Sequence, residues 1–263
     1  GIKALRNLIL LNETPFKGHI EELTSLILSS PSPDDALNSL ERIASRLSPE
    51  TINSFINDKK NLKNLIIICG SSNFLSDIIT RNTIYLRQFF LEDGLKTKKD
   101  TAAFLAELES FVQIPPCPPL SKGGLSRDFN SMARSLRLYR QKEYLRLGAR
   151  DILGLASMQE TTMELSGLAD GCLEIAYRFC LSKLKEEYGT PVYTDIDGRK
   201  LEAEFTIIGM GKLGGMELNF SSDIDIIFIY SSDKGAAGAD GRVSLHAFYV
   251  KLSEMITKLI GSI

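Results

Sequence analysis

The chain has 263 residues, of which 43% are hydrophobic, and it carries 31 Lys and Arg residues against 33 Asp and Glu residues. This length supports one or two ordinary hydrophobic cores, and the balanced charge argues against a general basic surface for nucleic acid. No apolar stretch approaches the ~20 residues of a membrane span, and the first residues lack the long apolar centre of a signal peptide. We therefore expect a cytoplasmic protein without nucleic-acid or membrane partners.

Residues 1–112 are predicted to form a helical region. Ser32 is suited to cap a helix, Pro33 to occupy its first position, and the two acids that follow to stabilise its N-terminus. Leu40 and Ile43 continue the apolar stripe of that helix, and residues 100–112 repeat the pattern. Such stripes indicate packing between helices rather than ligand binding.

Residues 113–126 are predicted to be a linker or an insertion. Four prolines and two glycines fall among the eleven residues from Ile114 to Gly124, and proline cannot continue a helix. We expect this segment to be exposed and open to proteolysis. The third predicted region, 127–263, contains leading helices followed by a mixed core of strands and helices.

Residues 128–149 are predicted to form a basic amphipathic helix. Its basic positions are Arg134, Arg137, Arg140, Lys142 and Arg146, and its apolar positions are Leu136, Tyr139, Tyr144 and Leu147. A solvated face is the ordinary interpretation of such a charge run. The alternative is that one or more arginines between 134 and 150 turn toward nucleotide phosphates or a protein substrate, because arginine makes bidentate contacts to phosphate. The sequence does not choose between them.

Three further elements are predicted after this helix. They are a long helix over 161–188, a hairpin with strands over 192–196 and 202–208, and a final helix over 243–260. The Asp197-Gly198 pair supplies the hairpin turn. We expect the hairpin to enter a sheet and the final helix to cover that sheet.

The cysteines indicate reduced residues and not a zinc site. Cys69, Cys117, Cys172 and Cys180 include no Cys-x-x-Cys pair, and only two histidines are available to join them. Cys172 and Cys180 lie eight residues apart in the predicted long helix. We expect both of them in its core face.

The segment from Phe205 to Tyr230 is the part of the sequence that points to chemistry. An apolar strand runs into a glycine-rich turn, and a second strand opens with Asp223-Ile-Asp225. Alternate side chains of a strand share a face, so both carboxylates project to one side, ~6.6 Å apart at the backbone. Mg²⁺ binds a few carboxylate oxygens and fills its other positions with water and substrate phosphates. The paired aspartates therefore predict a magnesium site.

The glycine-rich turn is predicted to hold nucleotide phosphates. The candidate phosphate-binding residues are Gly211, Lys212, Gly214, Gly215, Ser221 and Ser222. Glycines let the backbone approach phosphate oxygens closely, amides at the opening of a short helix point at the anion, and the lysine adds a full charge. The two serines sit next to the first aspartate and supply hydroxyl donors.

A solvated surface loop is one alternative interpretation of the Asp-x-Asp sequence. Here, however, residues 226–230 form a continuous apolar run, which is typical of a strand covered on both faces. Carboxylates at the start of a buried strand cost folding free energy unless they bind a ligand or are paired with another group. The context therefore favours a functional pair.

A dinucleotide-binding fingerprint is a second alternative, because Gly209-x-Gly211-x-x-Gly214 matches it letter for letter. That fold needs a crossover helix and an acidic residue at the end of the next strand. Only residues 216–222 separate the turn from Asp223. The spacing therefore argues against a dehydrogenase.

The order of strand, glycine-rich turn and Asp-x-Asp strand resembles the nucleotidyltransferase superfamily of DNA polymerase β type. More closely, GMGKLGGMELNFSSDIDIIF at 209–228 is similar to the signature of the bifunctional glutamine synthetase adenylyltransferase/adenylyl-removing enzymes. The wording ELNFSSDID resembles their N-terminal, adenylyl-removing half, as do residues 65–87 and 134–192. The resemblance covers most of the chain and implies an α+β fold, with a helical region followed by a nucleotidyltransferase core.

The resemblance also implies a reaction, a cofactor and partners. In the adenylyl-removing half, inorganic phosphate attacks the AMP ester on a glutamine synthetase tyrosine and releases ADP. Carried onto this sequence, Asp223 and Asp225 become the catalytic residues and the Mg²⁺ ligands, and the turn binds ADP or ATP. Glutamine synthetase and a PII-type signal protein are the implied partners of a multifunctional enzyme that regulates nitrogen assimilation.

Two departures from the family pattern stand out. Met216 occupies the place of a usual arginine, and the third carboxylate of the superfamily lies in a segment similar to VDLRLRP that is not found before Ile263. Asp233, Asp240 and Glu254 are unconvincing substitutes, since the first two fall in a Gly-rich turn and the third on a helix. We therefore expect a core that is incomplete at its C-terminal edge. A nucleotidyltransferase with another acceptor and a non-catalytic nucleotide-binding or docking module remain alternatives.

Overall fold

A computed structural model describes residues 2–113, 128–238 and 241–261 of the chain. The predicted linker at 113–126 lies outside these residues except for Gln113, and so do Cys117 and Asp240. Within the described ranges, no helix is both long enough and apolar enough to cross a membrane.

The described chain is mainly helical and contains short antiparallel strands. The helices are α1 (Ile2–Asn12), α2 (Ile20–Leu28), α3 (Pro33–Ala44), α4 (Pro49–Asn57), α5 (Lys59–Ser71), α6 (Asn73–Arg81), α7 (Ile84–Leu86), α8 (Thr101–Gln113), α9 (Phe129–Ile152), α10 (Met158–Tyr188), α11 (Gly211–Gly214) and α12 (Leu245–Gly261). The strands are β1 (Pro191–Thr194), β2 (Lys200–Glu202), β3 (Phe205–Met210), β4 (Asp225–Tyr230), β5 (Ala236–Ala237) and β6 (Val243–Ser244). A helical region followed by small sheets confirms the predicted α+β class.

The chain divides into two compact units. The first consists of Gly1–Lys98 and Gln141–Thr161, and the second consists of Lys99–Arg140 and Thr162–Ile263. Helices α9 and α10 therefore contribute residues to both units. The domain limits that the sequence suggested stay a prediction.

The first unit is a helical assembly with a core built from the apolar faces of its helices. Leu11, Leu40, Ile43, Ile68 and Ile79 are each at most 1% exposed. Full burial of an aliphatic side chain of this size contributes about 1.5–3 kcal/mol. The apolar stripes of this region therefore serve packing, as the sequence indicated.

Helix starts in this unit follow the predicted chemistry only in part. Helix α3 begins at Pro33 after Ser32, but the Ser32 hydroxyl donates to Asp35 Oδ2 at 2.8 Å instead of accepting a backbone N–H. At the start of α4, the Ser48 hydroxyl does accept the Thr51 N–H, at 3.3 Å. The Ser48 hydroxyl therefore satisfies an N–H that the first turn of α4 leaves without an intrahelical partner. The predicted cap by Ser32 is wrong, because its hydroxyl is bound to the Asp35 carboxylate.

The basic helix predicted over 128–149 is α9, and its charged residues differ widely in burial. Arg134 and Arg137 are exposed, whereas Arg146 is only 1% exposed and Arg150 only 4%. The solvated-face interpretation is therefore wrong for Arg146. Only some of the basic side chains of α9 are therefore exposed to solvent.

Buried arginines of α9 bind partners inside the first unit. Arg146 Nε donates to Glu143 Oε2 at 2.6 Å, and Arg146 Nη1 donates to the Thr97 carbonyl at 2.7 Å. The Glu143 side chain is fully buried. Arg150 Nη1 donates to the Leu95 carbonyl at 2.7 Å. These charges therefore stabilise the interior of the unit, a role that the sequence did not predict.

Helix α10 spans Met158–Tyr188 and starts three residues before its predicted position. It ends at the predicted place, where Gly189 adopts a positive φ of 82°, a backbone conformation that glycine adopts without strain. Cys172 and Cys180 are 5% and 0% exposed and carry free thiols. Their predicted place in the core is confirmed.

The second unit contains two antiparallel sheets. One has the strand order β2-β1-β5-β6, and the other consists of β3 paired with β4. Strands β1 and β2 form the predicted hairpin, with Val192 opposite Glu202 and Thr194 opposite Lys200. Gly198 supplies a positive φ of 81° in its turn.

The second predicted strand, 202–208, is interrupted at Ala203. Strand β2 ends one residue before Ala203, and β3 begins two residues after it in the other sheet. The Ala203 N–H donates to the Pro191 carbonyl at 2.9 Å, and the Ala203 carbonyl accepts from the Tyr249 hydroxyl at 2.6 Å. The prediction of one continuous strand is wrong because a buried tyrosine hydroxyl takes a carbonyl that a longer strand would use.

Helix α12 packs against the β3–β4 hairpin, as predicted. Phe248 and Tyr249 are buried, and the Tyr249 ring lies 5.3 Å from the Phe205 ring and 5.0 Å from the Tyr230 ring, centroid to centroid. The helix begins at Leu245, two residues later than predicted, since the preceding pair forms β6. The covered face of the hairpin is therefore held by aromatic contacts.

Candidate active site

The predicted motif forms a two-stranded hairpin with a single helical turn at its end. Strands β3 and β4 pair from Phe205 opposite Tyr230 to Met210 opposite Asp225, and α11 follows β3 directly. Strand β4 begins at Asp225, so the predicted start at Asp223 is two residues early. The glycine-rich turn and the paired aspartates thus lie at the same end of the hairpin.

Both aspartates are exposed. Exposed and half-buried residues alternate from Asp223 to Tyr230, and Asp223, Asp225, Ile227 and Ile229 are the exposed positions. Because alternate side chains of an extended chain share a face, this pattern agrees with two carboxylates on one side. Ile227 and Ile229 are each 47% exposed. Within the described residues, the prediction that this strand is covered on both faces is therefore wrong.

The Asp225 carboxylate lies beside the start of the glycine-rich turn. A Cβ added at Gly211 would lie 3.4 Å from Asp225 Oδ2, and the φ of Gly211 is +53°. This left-handed backbone favours glycine. Lys212, the next residue, is exposed. The structure therefore brings Asp225 to Gly211 and leaves the lysine open to solvent beside them.

Two glycines of the motif allow close packing within the hairpin end. A Cβ at Gly214 would lie 2.5 Å from the Gly209 carbonyl oxygen, and a Cβ at Gly209 would lie 2.9 Å from Leu213 Cγ. The Leu213 side chain is buried at this point. Gly214 is therefore required by the turn itself, and its contact with phosphate stays a prediction.

Replacing Gly214 by Ala is expected to lower the free energy of unfolding by about 1–3 kcal/mol, because overpacking displaces the neighbouring backbone. Gly215→Ala is the matched control, since a Cβ there would meet only the Gly211 carbonyl oxygen at 3.5 Å and the Glu217 side chain beyond it. We expect the control to change stability by under ~1 kcal/mol. Urea titrations followed by circular dichroism measure both, and equal losses would contradict the packing role.

The segment after the turn is anchored on α10. Met216 adopts a positive φ of 57°, and the Leu218 side chain is 4% exposed. The Leu218 N–H donates to Ser166 Oγ at 3.2 Å, and that hydroxyl donates to the Thr162 carbonyl at 2.9 Å. Sequence reasoning missed Ser166 as a residue that positions the turn, since nothing in its local pattern distinguishes it from other helix residues.

The two predicted serine donors form a turn with Asn219. Asn219 Oδ1 accepts from Ser221 Oγ at 3.0 Å and from Ser222 Oγ at 2.9 Å. The Ser222 hydroxyl also accepts the Asn219 N–H at 3.2 Å. Each hydroxyl has one hydrogen, so a serine must rotate away from Asn219 before it can donate to a phosphate. Asn219 was not predicted as a site residue.

The metal-binding potential of this end of the hairpin rests on two carboxylates. In the part of the chain that the structure describes, no group of three or more His, Cys, Asp or Glu side chains is placed to hold a metal ion. Among the described residues, Asp223 and Asp225 could therefore supply only part of a metal's ligand set. Such a set suits Mg²⁺, which keeps several waters and binds substrate phosphates alongside one or two carboxylates.

The hairpin geometry excludes the dinucleotide-binding alternative. That fold requires a helical crossover to a parallel strand, whereas β3 and β4 are antiparallel neighbours. Helix α11, the only helix between them, spans Gly211–Gly214. The three glycines of the fingerprint therefore belong to a tight turn.

The chain is similar to proteins of one family. The family model for GlnE, glutamate-ammonia ligase adenylyltransferase, matches residues 62–263. A bifunctional glutamine synthetase adenylyltransferase/adenylyl-removing enzyme of Thioalkalivibrio sulfidiphilus is 27% identical over 252 residues, which are 92% of this chain and 25% of the relative. The enzyme of the same name from Mannheimia haemolytica is 26% identical over 99% of this chain and 25% of its own length.

A third relative matches a shorter part of the chain, about half of its residues, at higher identity. The enzyme of the same name from Burkholderia pseudomallei is 36% identical over 143 residues, or 54% of this chain. The chain spans about a quarter of the length of the first two relatives. Since the matched family segment, 62–263, covers most of the sequence, this chain belongs to the glutamate-ammonia ligase adenylyltransferase family.

Proposed function

We propose that the chain carries a nucleotidyltransferase site that removes the adenylyl group from a tyrosine of glutamine synthetase by phosphorolysis. The observation that carries the proposal is the exposed pair Asp223 and Asp225 at the glycine-rich end of the hairpin, in a chain of this family. The names of the relatives include both adenylyl transfer and adenylyl removal. The ELNFSSDID wording at 217–225 favours removal, because it resembles that half of the family.

The proposed reaction is an in-line displacement at the α-phosphorus of the AMP ester. An oxygen of inorganic phosphate forms the new P–O bond, the bond between phosphorus and the tyrosine oxygen breaks, and the phenolate takes up a proton. The products are ADP and free tyrosine. A phenol of unperturbed pKa ~10 leaves more readily than an aliphatic alcohol, so the greater difficulty is the approach of one anion to another.

The residues at the hairpin end suit a hard divalent cation. Two solvent-exposed carboxylates at alternate positions provide hard oxygen ligands, and the open surroundings leave room for water and phosphate oxygens. Asp223 and Asp225 would hold Mg²⁺. When bound, the ion would neutralise phosphoryl oxygens and so reduce the repulsion between the reacting anions.

The turn residues would bind and orient the nucleotide. Lys212 is exposed directly after Gly211 and would neutralise a phosphate that lies against the turn. Gly211 and Gly215 leave the backbone open to an approaching anion, while Gly214 is already packed against the strand. Ser221 and Ser222 would contribute only after leaving Asn219.

The product distinguishes the proposed reaction from related ones. Adenylylated glutamine synthetase is incubated with the chain, Mg²⁺ and ³²P-labelled inorganic phosphate, and the nucleotides are separated. Label in the β-phosphate of ADP is the expected result. Release of AMP indicates hydrolysis, and absence of labelled ADP with correctly folded protein contradicts the proposal. A panel of other adenylylated tyrosine proteins tests whether the acceptor is different.

A non-catalytic nucleotide-binding role is the second candidate. It is favoured by the absence, among the described residues, of a third metal-ligating side chain near the pair. Calorimetry with ADP in the presence and absence of Mg²⁺ measures whether the site binds nucleotide. Both candidate functions require such binding, whereas a surface without function would show none. Binding without labelled ADP formation supports the second candidate. Docking of a PII-type protein and a cytoplasmic location stay predictions.

A further inference from the structure

A cavity of about 560 Å³ lies in the second unit at the end of the β3–β4 hairpin that is remote from Asp225. Its lining includes Phe205 and Tyr230, the pair at one end of the strand register, whereas Met210 and Asp225 form the pair at the other end. Five residue steps of ~3.3 Å separate the two ends. The cavity is therefore distinct from the candidate active site.

One side of the cavity is a row of four aromatic rings. Tyr177 stacks on Phe205 with centroids 5.7 Å apart and planes 13° apart, and Phe205 stacks on Tyr249 at 5.3 Å and 16°. Tyr230 continues the row, 5.0 Å from Tyr249. Tyr177 and Tyr230 are half-buried at the two ends of the row. The two inner rings are stacked on neighbours at both sides, so the end rings, Tyr177 and Tyr230, are the ones that can offer a face to a ligand. Such a face carries negative electrostatic potential and attracts cations.

The cavity is also lined by two carboxylates, Glu202 and Glu204, which are both exposed. The Glu202 carboxylate forms an ion pair with Lys185. In the described part of the chain, nothing pairs with the Glu204 carboxylate, although its backbone N–H donates to Ser231 Oγ at 3.0 Å. Glu202 thus already binds a cationic side chain at the edge of the cavity, and the Glu204 carboxylate is available to bind a cationic ligand.

The negative charges of Glu202 and Glu204 act electrostatically on two tyrosines of the aromatic row. Burial raises the pKa of Tyr177, and the negative charges of Glu174, Glu202 and Glu204 raise it further. The pKa of Tyr249 is raised by burial first and also by the same two lining glutamates. A negative potential that disfavours a phenolate favours a positively charged ligand.

We propose that this cavity binds a guanidinium group, stacked on the aromatic row and paired with Glu204. A guanidinium is planar, stacks on aromatic faces and pairs with carboxylates through two parallel N–H donors. It is also less strongly hydrated than an ammonium, so it loses less on entering a partly apolar cavity. The ligand is a free arginine-like molecule or an arginine side chain of a polypeptide, and both sources offer the same chemistry.

Calorimetry of the 263-residue chain with arginine amide tests the proposal. Citrulline amide, which has nearly the same shape and the same α-ammonium group but a neutral ureido group in place of the guanidinium, is the comparison probe. The chain contains eight tyrosines and no tryptophan, so tyrosine fluorescence reports occupation of the row independently. We expect saturable binding of arginine amide that weakens as salt is raised. Equal binding of the two probes, or no saturable binding of arginine amide, would overturn the proposal.

Three variants locate the binding. Glu204→Gln is expected to weaken binding roughly tenfold, because a charge-assisted contact is lost, and Lys185→Gln to strengthen it, because Glu202 is released. Glu186→Gln is the control, since this exposed acid on α10 pairs with Lys183 and does not line the cavity. Unchanged binding by Glu204→Gln, or an equal loss in the control, contradicts the site. Circular dichroism confirms folding of each variant.

A separate variant and a second probe complete the test. Tyr177→Leu removes a ring at the end of the row and is expected to weaken binding roughly threefold to tenfold, which makes the test independent of Glu204. The peptide Gly-Gly-Arg-Gly-Gly is compared with arginine amide. Peptide binding equal to or tighter than that of the amide identifies a polypeptide arginine as the ligand, and binding of the amide alone identifies a small molecule.

Discussion

Replacing Asp225 by Asn is expected to lower the rate of phosphate-dependent ADP release by roughly a hundredfold to a thousandfold. The substitution keeps the size of the side chain but removes the negative charge that would hold Mg²⁺ beside Gly211. Asp225 is exposed at the first position of β4, so we expect the fold to be kept. The measurement is the formation of labelled ADP at several Mg²⁺ concentrations, with circular dichroism as the check on folding.

The control for this variant is Asp197→Asn. Asp197 is an exposed acid in the turn between β1 and β2, where its Oδ2 lies 3.1 Å from Arg199 Nη2. Since an exposed ion pair of this kind contributes only ~0–1 kcal/mol, we expect an ADP release rate within about twofold of the unsubstituted chain. Full activity of Asp225→Asn at fixed Mg²⁺ would show that this carboxylate does not hold the ion.

Local chemistry made some helix boundaries predictable. Pro33 marks the start of α3 and Gly189 the end of α10, because a proline at the first helical position and a positive φ depend on residues at the boundary itself. The break at Ala203 was not predictable in this way. It depends on the hydroxyl of Tyr249, which is 46 residues away in the sequence, and a local strand pattern carries no information about such a partner.

The candidate site shows the same limit. Sequence reasoning placed the glycine-rich turn directly after one strand and the aspartates at the start of the next, since strand, turn and strand follow each other directly. It did not find Ser166, whose hydroxyl anchors the turn from 52 residues away. It also did not find that the hydroxyls of Ser221 and Ser222 donate to Asn219, while their assignment to phosphate stays a prediction. The orientation of a side chain in a loop depends on which of several neighbouring groups it binds, and a residue pattern does not show which of these hydrogen bonds forms.

The exposure of one face of the β3–β4 hairpin is a further feature that the apolar run at 226–230 did not predict. A continuous apolar strand predicted cover on both faces, yet α12 and its aromatic contacts lie on one face while Ile227 and Ile229 are exposed on the other. The aspartates lie on the open face. Both carboxylates are therefore open to solvent without displacement of the packed helix.

Replacing Glu143 by Leu is expected to lower the free energy of unfolding by about 3–5 kcal/mol, the cost of removing one partner from a buried ion pair. The substitution removes the negative charge 2.6 Å from Arg146 Nε, where the two side chains are 0% and 1% exposed. Leu fills a similar volume, so the loss arises mainly from the charges of the buried Arg146 guanidinium and of the Lys142 ammonium, which lies 3.7 Å from Glu143 Oε1. Urea titration followed by circular dichroism measures the change.

The double variant Glu143→Leu/Arg146→Met separates the charge effect from packing. Replacing both members of a buried pair by apolar residues of similar volume is often neutral or stabilising, so the double variant is expected to recover most of the stability that Glu143→Leu loses. Glu92→Leu is the exposed control, because the Arg87–Glu92 pair is 69% and 56% exposed, and we expect it to change stability by under ~1 kcal/mol. A double variant as unstable as the single one would mean that the pair acts through its shape and its contact to Thr97, and not through compensation of charge.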